Sequence, residues 1–281
     1  MHDANTRTAS GRVGTAIAFA ALVCAMTVGV VLAQSAGPAQ AATAQATGTL
    51  ATGEMSALAA TGTPDATPTA SVSTTRSIGF SVKKRAIVLE RFGSGKRHIL
   101  IVAGIHGDEY GGPVAAKFAA YLRAHSSAIP AGTQVDVIAY SNPDGRVLKR
   151  RTNARKVDLN RNFPASNWTR HHHRGTSSHG RSAGSEPETK ALVRLLKGGH
   201  YTRVVTLHSR GGVIDHNGKG STALAKRIST AAHVRLARLG RYPGSMGSYV
   251  PEKIHIPIVT WELASRTLTV RVRAGMVASL R

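Results

Sequence analysis

Apolar residues fall in short runs along the later part of the chain: AIVLERF (86–92), HILIVAGI (98–105), QVDVIAY (134–140), RVVTLHS (203–209) and IPIVTWELA (256–264). Their length, their β-branched content and the Gly, Pro, Asn and Ser residues around them predict strands. Helical patterns separate them at 113–125, 185–197 and 221–239. Pro113 suits a first helical turn. Ser185, with Glu188 three residues later, reads as a capping box. Strands alternating with helices predict an α/β fold: a three-layer, mostly parallel mixed sheet with helices on both faces.

In open sheets of this kind, ligands bind beyond the carboxyl ends of the strands. Polar residues gather at those predicted ends. His106 and Glu109 follow the second run, and Asn142 and Asp144 follow the third. His208 closes the fourth and Glu262 lies near the end of the last.

The first part of the chain has a different pattern. Residues 13–33 are uncharged and 21 long, with Arg7 and Arg12 before them and small residues around Ala39 and Ala41 after them. A signal peptide has an apolar core of about 7–15 residues, and a membrane span needs about 20. Residues 1–41 are therefore expected to be a signal peptide or a retained single-pass N-terminal membrane anchor. Either way, the rest is expected outside the cytoplasm: secreted, associated with the cell wall, or anchored on the outer face of the cytoplasmic membrane. Residues 42–76 are rich in Ala, Thr and Pro and read as a disordered linker, because such a composition cannot bury enough apolar surface. Residues 77–281 are left as the folded domain.

Charge narrows the choice of partner. Residues 1–76 hold three basic and three acidic residues, which leaves 34 basic and 11 acidic ones for residues 77–281 and places the whole formal +23 there. An anionic cell envelope is the expected partner. Nucleic acid is not expected, because no basic helix, aromatic stacking set or zinc-finger spacing accompanies the charge. The single cysteine, Cys24, lies inside the apolar segment, so the folded domain has no disulfide and no thiolate metal ligand.

A metal site there must use His, Asp and Glu. His106 and Glu109, at H-x-x-E spacing, reach one ion from a single turn, and His208 completes a two-His-one-Glu set of the kind found in hydrolytic zinc sites. The tract TRHHHRGTSSHGRSAG (169–184) reads as a mobile basic loop at the rim of the cleft, since three adjacent histidines do not face one ion easily.

The motifs AGIHGDEYGG (103–112), NPDG (142–145), RTNARKVDLNRNFP (151–164), GSEPET (184–189), LHS (207–209) and TWELAS (260–265) resemble, in order, those of the zinc carboxypeptidase family. Within it they are most similar to the bacterial murein peptide amidases, which cut between γ-D-glutamate and meso-diaminopimelate. The resemblance implies that residues 77–281 are a zinc peptidase catalytic domain with one Zn²⁺ on His106, Glu109 and His208. It implies Glu262 as general base and acid, and Arg151, in a run with Lys149, Arg150 and Arg155, as the oxyanion-stabilising arginine. Asn160 and Arg161 would grip the substrate carboxylate, and Asp158 would orient His106. Tyr242 and Tyr249 are the candidates for a tyrosine that covers the substrate, and Arg210 stands where digestive members have a tyrosine. The implied substrate is a peptide or muropeptide. Two other readings are a general metallocarboxypeptidase or N-acyl amino acid deacylase, and a non-catalytic basic wall-binding module.

Overall fold

The apolar runs become the interior of one sheet. The computed structural model describes residues 73–171 and 177–281. Its strands are β1 (Thr74–Phe80), β2 (Ala86–Gly93), β3 (Arg97–Ala103), β4 (Thr133–Ile138), β5 (Tyr201–Ser209), β6 (Val213–Asn217) and β7 (Ile258–Leu263). Its helices are α1 (Gly111–Ala124), α2 (Pro143–Val147), α3 (Pro187–Gly198), α4 (Ser221–Ala232), α5 (Met246–Tyr249) and α6 (Val270–Ala278). The strand order is β1-β2-β4-β3-β5-β7-β6.

The four central strands, β4, β3, β5 and β7, run parallel. The flanking pairs β1–β2, β2–β4 and β6–β7 are antiparallel. Ile99 to Ala103 of β3 are all buried, as expected for a parallel strand covered on both faces. β2 alternates instead, with Ile87 and Leu89 buried and Val88 exposed. Helices α1, α4 and α6 cover one face through a core containing Phe118, Ile228, Met276 and Trp261. The other face is covered by α3 and α5, with Leu192, Phe163, Met246 and Tyr249 in its core.

Four local expectations are corrected. β1 begins at Thr74, so residues 74–76 belong to the sheet and not to the linker. Its polar sequence TTRSIGF is mostly exposed at the sheet edge and gives little hydrophobic signal. β6, with the sequence VIDHN, was not expected, because Asp and Asn are disfavoured in strands. The helix expected over 221–239 ends at Ala232, where His233 takes φ 54°. Beyond it the chain pairs with β6: Ile214 N donates to Arg235 O and Ala237 N to Ile214 O. Finally, the capping box does not form. Glu186 is the N-cap of α3, and Ser185 Oγ donates to its carboxylate at 2.8 Å. Glu188 turns inward and accepts from Val82 N and Asn153 Nδ2.

Among the described residues, no helix is long and apolar enough to cross a membrane. The segment expected to be a signal or anchor lies outside the described residues.

Candidate metal centre and active site

β3 delivers His106 to the sheet edge through a tight turn. Gly104 has φ +60°, and a Cβ there would meet Ala139 O at 2.6 Å. The next loop lies flat on the NPDG turn, where a Cβ on Gly107 would collide with Gly145 at 1.9 Å. Asn142 locks that turn: its Nδ2 donates to Ile105 O (3.1 Å) and its Oδ1 accepts from Gly145 N (2.8 Å). Asp144 accepts from Ser81 Oγ, Lys83 N and Arg85 Nη1. Of the polar residues at the strand ends, these two hold the scaffold rather than the cavity.

His208 and Glu262 face the same opening by strand register, since His208 of β5 pairs with Glu262 of β7. His106 Nδ1 lies 2.7 Å from Glu109 Oε1, and His208 Nδ1 lies 3.0 Å from Glu109 Oε2. The two Nδ1 atoms are 3.3 Å apart. Ligands about 2.0–2.2 Å from one tetrahedral ion stand roughly 3.4 Å from one another, so this donor set fits a single ion. Among the described residues, no other group of three His, Cys, Asp or Glu side chains converges in this way. The second ring nitrogen of His106 meets Asp158 Oδ1 at 3.0 Å, which fixes the ring and leaves Nδ1 directed inward.

Arg151 spans the cluster: Nε donates to Asp158 Oδ2 (2.9 Å) and Nη1 to Glu109 Oε1 (3.3 Å). Its neighbour Arg150 donates instead to Asn153 O. Desolvation opposes the charge on Asp158, yet His106 and Arg151 hold its carboxyl well below the usual range. Glu109 is likewise buried and is held low by hydrogen bonds to both histidines. Glu262 behaves in the opposite way. Burial raises it above the ordinary glutamate value and Glu109 adds to this, while the two histidines and Arg151 offset only part.

His106, Glu109, His208, Arg151 and Glu262 line one cavity of about 170 Å³, together with Asn160, Arg161 and Tyr242. The Asn160 Oδ1 accepts from Met246 N, and the guanidinium of Arg161 lies over the Tyr242 ring at 4.6 Å. Tyr249 does not reach the cavity. It is 1% exposed and packs on Phe163 in the core, so its candidacy as a cover is corrected. Tyr242, 47% exposed, is the tyrosine at the mouth. The guanidiniums of Arg210 and Arg266 both lie near the Tyr110 ring, at 5.5 and 5.1 Å from its centroid. In the histidine-rich tract, residues 172–176 lie outside the described residues, and the flanking His179 O accepts from Asn162 Nδ2 (2.8 Å). Sequence reading missed Asp215, Asn217 and Thr260, which also line the cavity. Asp215 and Asn217 lie in a strand that itself went unrecognised, and Thr260 lies two residues before Glu262 in a run that was recognised.

Residues 66–258 match the family profile described as zinc carboxypeptidase. The chain belongs to the zinc carboxypeptidase family. It is accordingly a metallopeptidase, and the convergent His-Glu-His set is its candidate metal site. It is 34% identical over 180 residues to murein peptide amidase A of Vibrio campbellii, covering 58% of this chain and 68% of that protein. It is 36% identical over 163 residues to murein peptide amidase A of Escherichia coli, covering 53% of this chain and 64% of that one. The crystal structure of the murein-tripeptide amidase of Escherichia coli superposes with a TM-score of 0.62 at 28% identity, covering 73% of this chain and 91% of that one. Carboxypeptidase A of Helicoverpa armigera, at 19% identity and TM-score 0.60, shares the fold, with 74% of this chain and 65% of that one covered.

One consequence concerns Asp158. Asp158→Asn should weaken zinc affinity by about 10–100-fold, because the ring of His106 loses its anionic partner. Competition with a chromogenic chelator measures this. An unchanged affinity would leave Asp158 as a partner of Arg151 only.

Proposed function

We propose that this chain is an exported zinc-dependent peptidase that hydrolyses an amide bond beside a carboxylate-bearing terminal residue in peptidoglycan stem peptides, at the γ-D-glutamyl–meso-diaminopimelate bond. One observation carries the reading: the His106–Glu109–His208 cluster, Glu262 and Arg161 line a single cavity. The names of the two murein peptide amidases support the choice of substrate.

Zinc held by His106, Glu109 and His208 would supply Lewis-acid polarisation of the carbonyl and lower the pKa of a water to about 7. The protein's own groups do the rest. Arg161 and the Asn160 amide receive the terminal carboxylate and set the register of the chain, as a guanidinium can with two parallel hydrogen bonds. The carboxylate of Glu262 takes a proton from water as the water oxygen bonds to the carbonyl carbon. It returns that proton to the amide nitrogen as the C–N bond breaks, so a group raised by burial is suited to both steps. The Arg151 guanidinium provides fixed positive charge beside the reacting carbonyl, where negative charge grows on its oxygen.

The apolar segment at 13–33 supports export, and the excess of 34 basic over 11 acidic residues after residue 76 supports attraction to an anionic envelope. The test is mass spectrometry of muropeptides after digestion of purified sacculi and of soluble murein tripeptide. Free diaminopimelate released from the tripeptide is expected. Release of ordinary C-terminal amino acids alone would remove the murein substrate and leave a general carboxypeptidase. Raised salt should weaken binding to sacculi, since exposed charges are screened over about 8–10 Å.

A further inference from the structure

The amino ends of the strands carry a second cavity, remote from the metal centre. It has a volume of about 460 Å³ and lies between β1 and the end of α3, beside the first residues of β3 and β5. Arg76, Arg91, His98, Arg194 and His200 line it, and no Asp or Glu does among the described residues. Tyr201 begins β5 at this cavity, and His208 lies near the other end of the same strand. Seven residues of strand at about 3.3 Å each separate the two sites by roughly 23 Å.

Local packing shapes the cavity. Gly79 lets α3 lie close on β1, since a Cβ there would meet Ala191 Cβ at 2.8 Å. Arg194 Nη2 is 3.5 Å from that same point, so its guanidinium lies over the strand. Arg76 shares a strand face with Ile78, which packs on the core beneath α3. Asp136, the acid nearest the floor, is already engaged: it accepts from Arg91 Nε (2.8 Å), Arg91 Nη2 (2.9 Å) and the Tyr201 hydroxyl (2.7 Å). His98 covers the carbonyl end of α3, with its ring nitrogens 3.0 Å from Gly199 O and 2.9 Å from Gly95 O. Arg76 and Arg194 form no ion pair among the described residues.

An unpaired arginine is ordinary in a domain with 34 basic and 11 acidic residues. Convergence is the informative feature, because two guanidiniums from different elements meet at one concavity that holds no free acid. The positive field continues past it: at the same end of the sheet, burial and the charges of Arg227 and Arg97 depress Arg203. A planar bilayer does not enter a concave site. Stacking of nucleic-acid bases needs a free aromatic face, and the one aromatic lining residue, Tyr201, is buried with its hydroxyl on Asp136. Guanidinium forks match phosphate oxygens. We infer that this cavity is a second binding site, in which Arg76 and Arg194 hold a phosphodiester group of a linear, non-aromatic polyanion of the polyol-phosphate type. Bound there, the polymer leaves the metal cavity at the opposite end of the sheet open to substrate. The inference rests on the envelope reading above only for where such a polymer is met, and it does not depend on the bond hydrolysed.

The test is fluorescence anisotropy of a labelled glycerol-phosphate oligomer with the zinc-loaded full chain at physiological ionic strength. Arg76→Gln/Arg194→Gln should bind at least about tenfold more weakly, the size of one lost hydrogen bond to a charged group. Lys117→Gln/Arg271→Gln removes the same charge from α1 and α6 and should change affinity by less than about twofold, because distant exposed charges are screened. Turnover of soluble murein tripeptide should be equal in all three proteins. Saturating oligomer should leave the wild-type KM for tripeptide unchanged, a readout that needs no variant to fold. Equal losses in the two variants overturn the inference, and so does competition between oligomer and tripeptide, which would place the anion at Arg161. Inorganic phosphate binding as tightly as the oligomer overturns the polymer. So does dependence on Arg76 and Arg194 that is seen with phosphatidylglycerol vesicles or a single-stranded oligonucleotide and not with the oligomer. If no tripeptide is cleaved but oligomer binding depends on Arg76 and Arg194, the murein reading fails and this site stands.

Discussion

Glu262→Gln is expected to lower hydrolysis by about 10²–10⁴-fold, the usual contribution of a positioned general acid–base, while zinc content stays stoichiometric. Glutamine keeps the size of the side chain and cannot take a proton from water. The substituted group lies outside the candidate metal set of His106, Glu109 and His208. Packing also favours an isosteric change, because Gly211 leaves little room beside Glu262, where an added Cβ would meet Glu262 Cβ at 3.1 Å. The pH profile provides a second readout. A base must be deprotonated to act, and burial raises Glu262 above the ordinary glutamate value. Activity should therefore rise with pH through a midpoint above that of an ordinary glutamate, and this acid limb should vanish in the variant. Turnover and pH limb both unchanged would exclude Glu262 from the proton transfers.

His208→Ala is expected to abolish stable zinc binding and to cut turnover by on the order of 10³-fold or more, because metal polarisation of the carbonyl is worth several kcal/mol. Three protein ligands are the usual minimum of a catalytic zinc site, and this variant keeps two. Thermal unfolding separates loss of metal from loss of fold. A ligand that binds only the folded state raises stability by about 2.7 kcal/mol at a hundred times its dissociation constant, so added zinc should raise the wild-type Tm and leave that of the variant unmoved. Elemental analysis after dialysis gives the stoichiometry directly. A zinc-dependent Tm in the variant equal to that of the wild type would mean that His208 is not a ligand.

Several features were legible because local pattern encodes them. The run HILIVAGI declares a strand buried on both faces, and β3 is that strand. The H-x-x-E spacing places two donors on one turn, and the structure holds them 2.7 Å apart. Other features were not, each for a physical reason. Ser185 and Glu188 match a capping box, yet both side chains have buried partners elsewhere that outweigh a cap. The pattern 221–239 continues as a helix on paper, but Leu236 is drawn out to bridge Ile214. Tyr242 and Tyr249 are equivalent from the sequence, and packing sends one to the mouth and the other to the core.

Sequence alone therefore determined the fold class, the strand-end position of the candidate metal ligands, the absence of a cysteine after Cys24 and the concentration of positive charge after residue 76. These are properties of neighbouring residues and of totals. Tertiary structure decided the relations between residues far apart: His208 brought to His106 across 102 positions, Arg151 rather than Arg150 at the cluster, and Asp215 placed beside Thr260 in the cavity wall. Such relations depend on which strands pair and in what register, and that is settled by burying two whole sheet faces at once rather than by any local run.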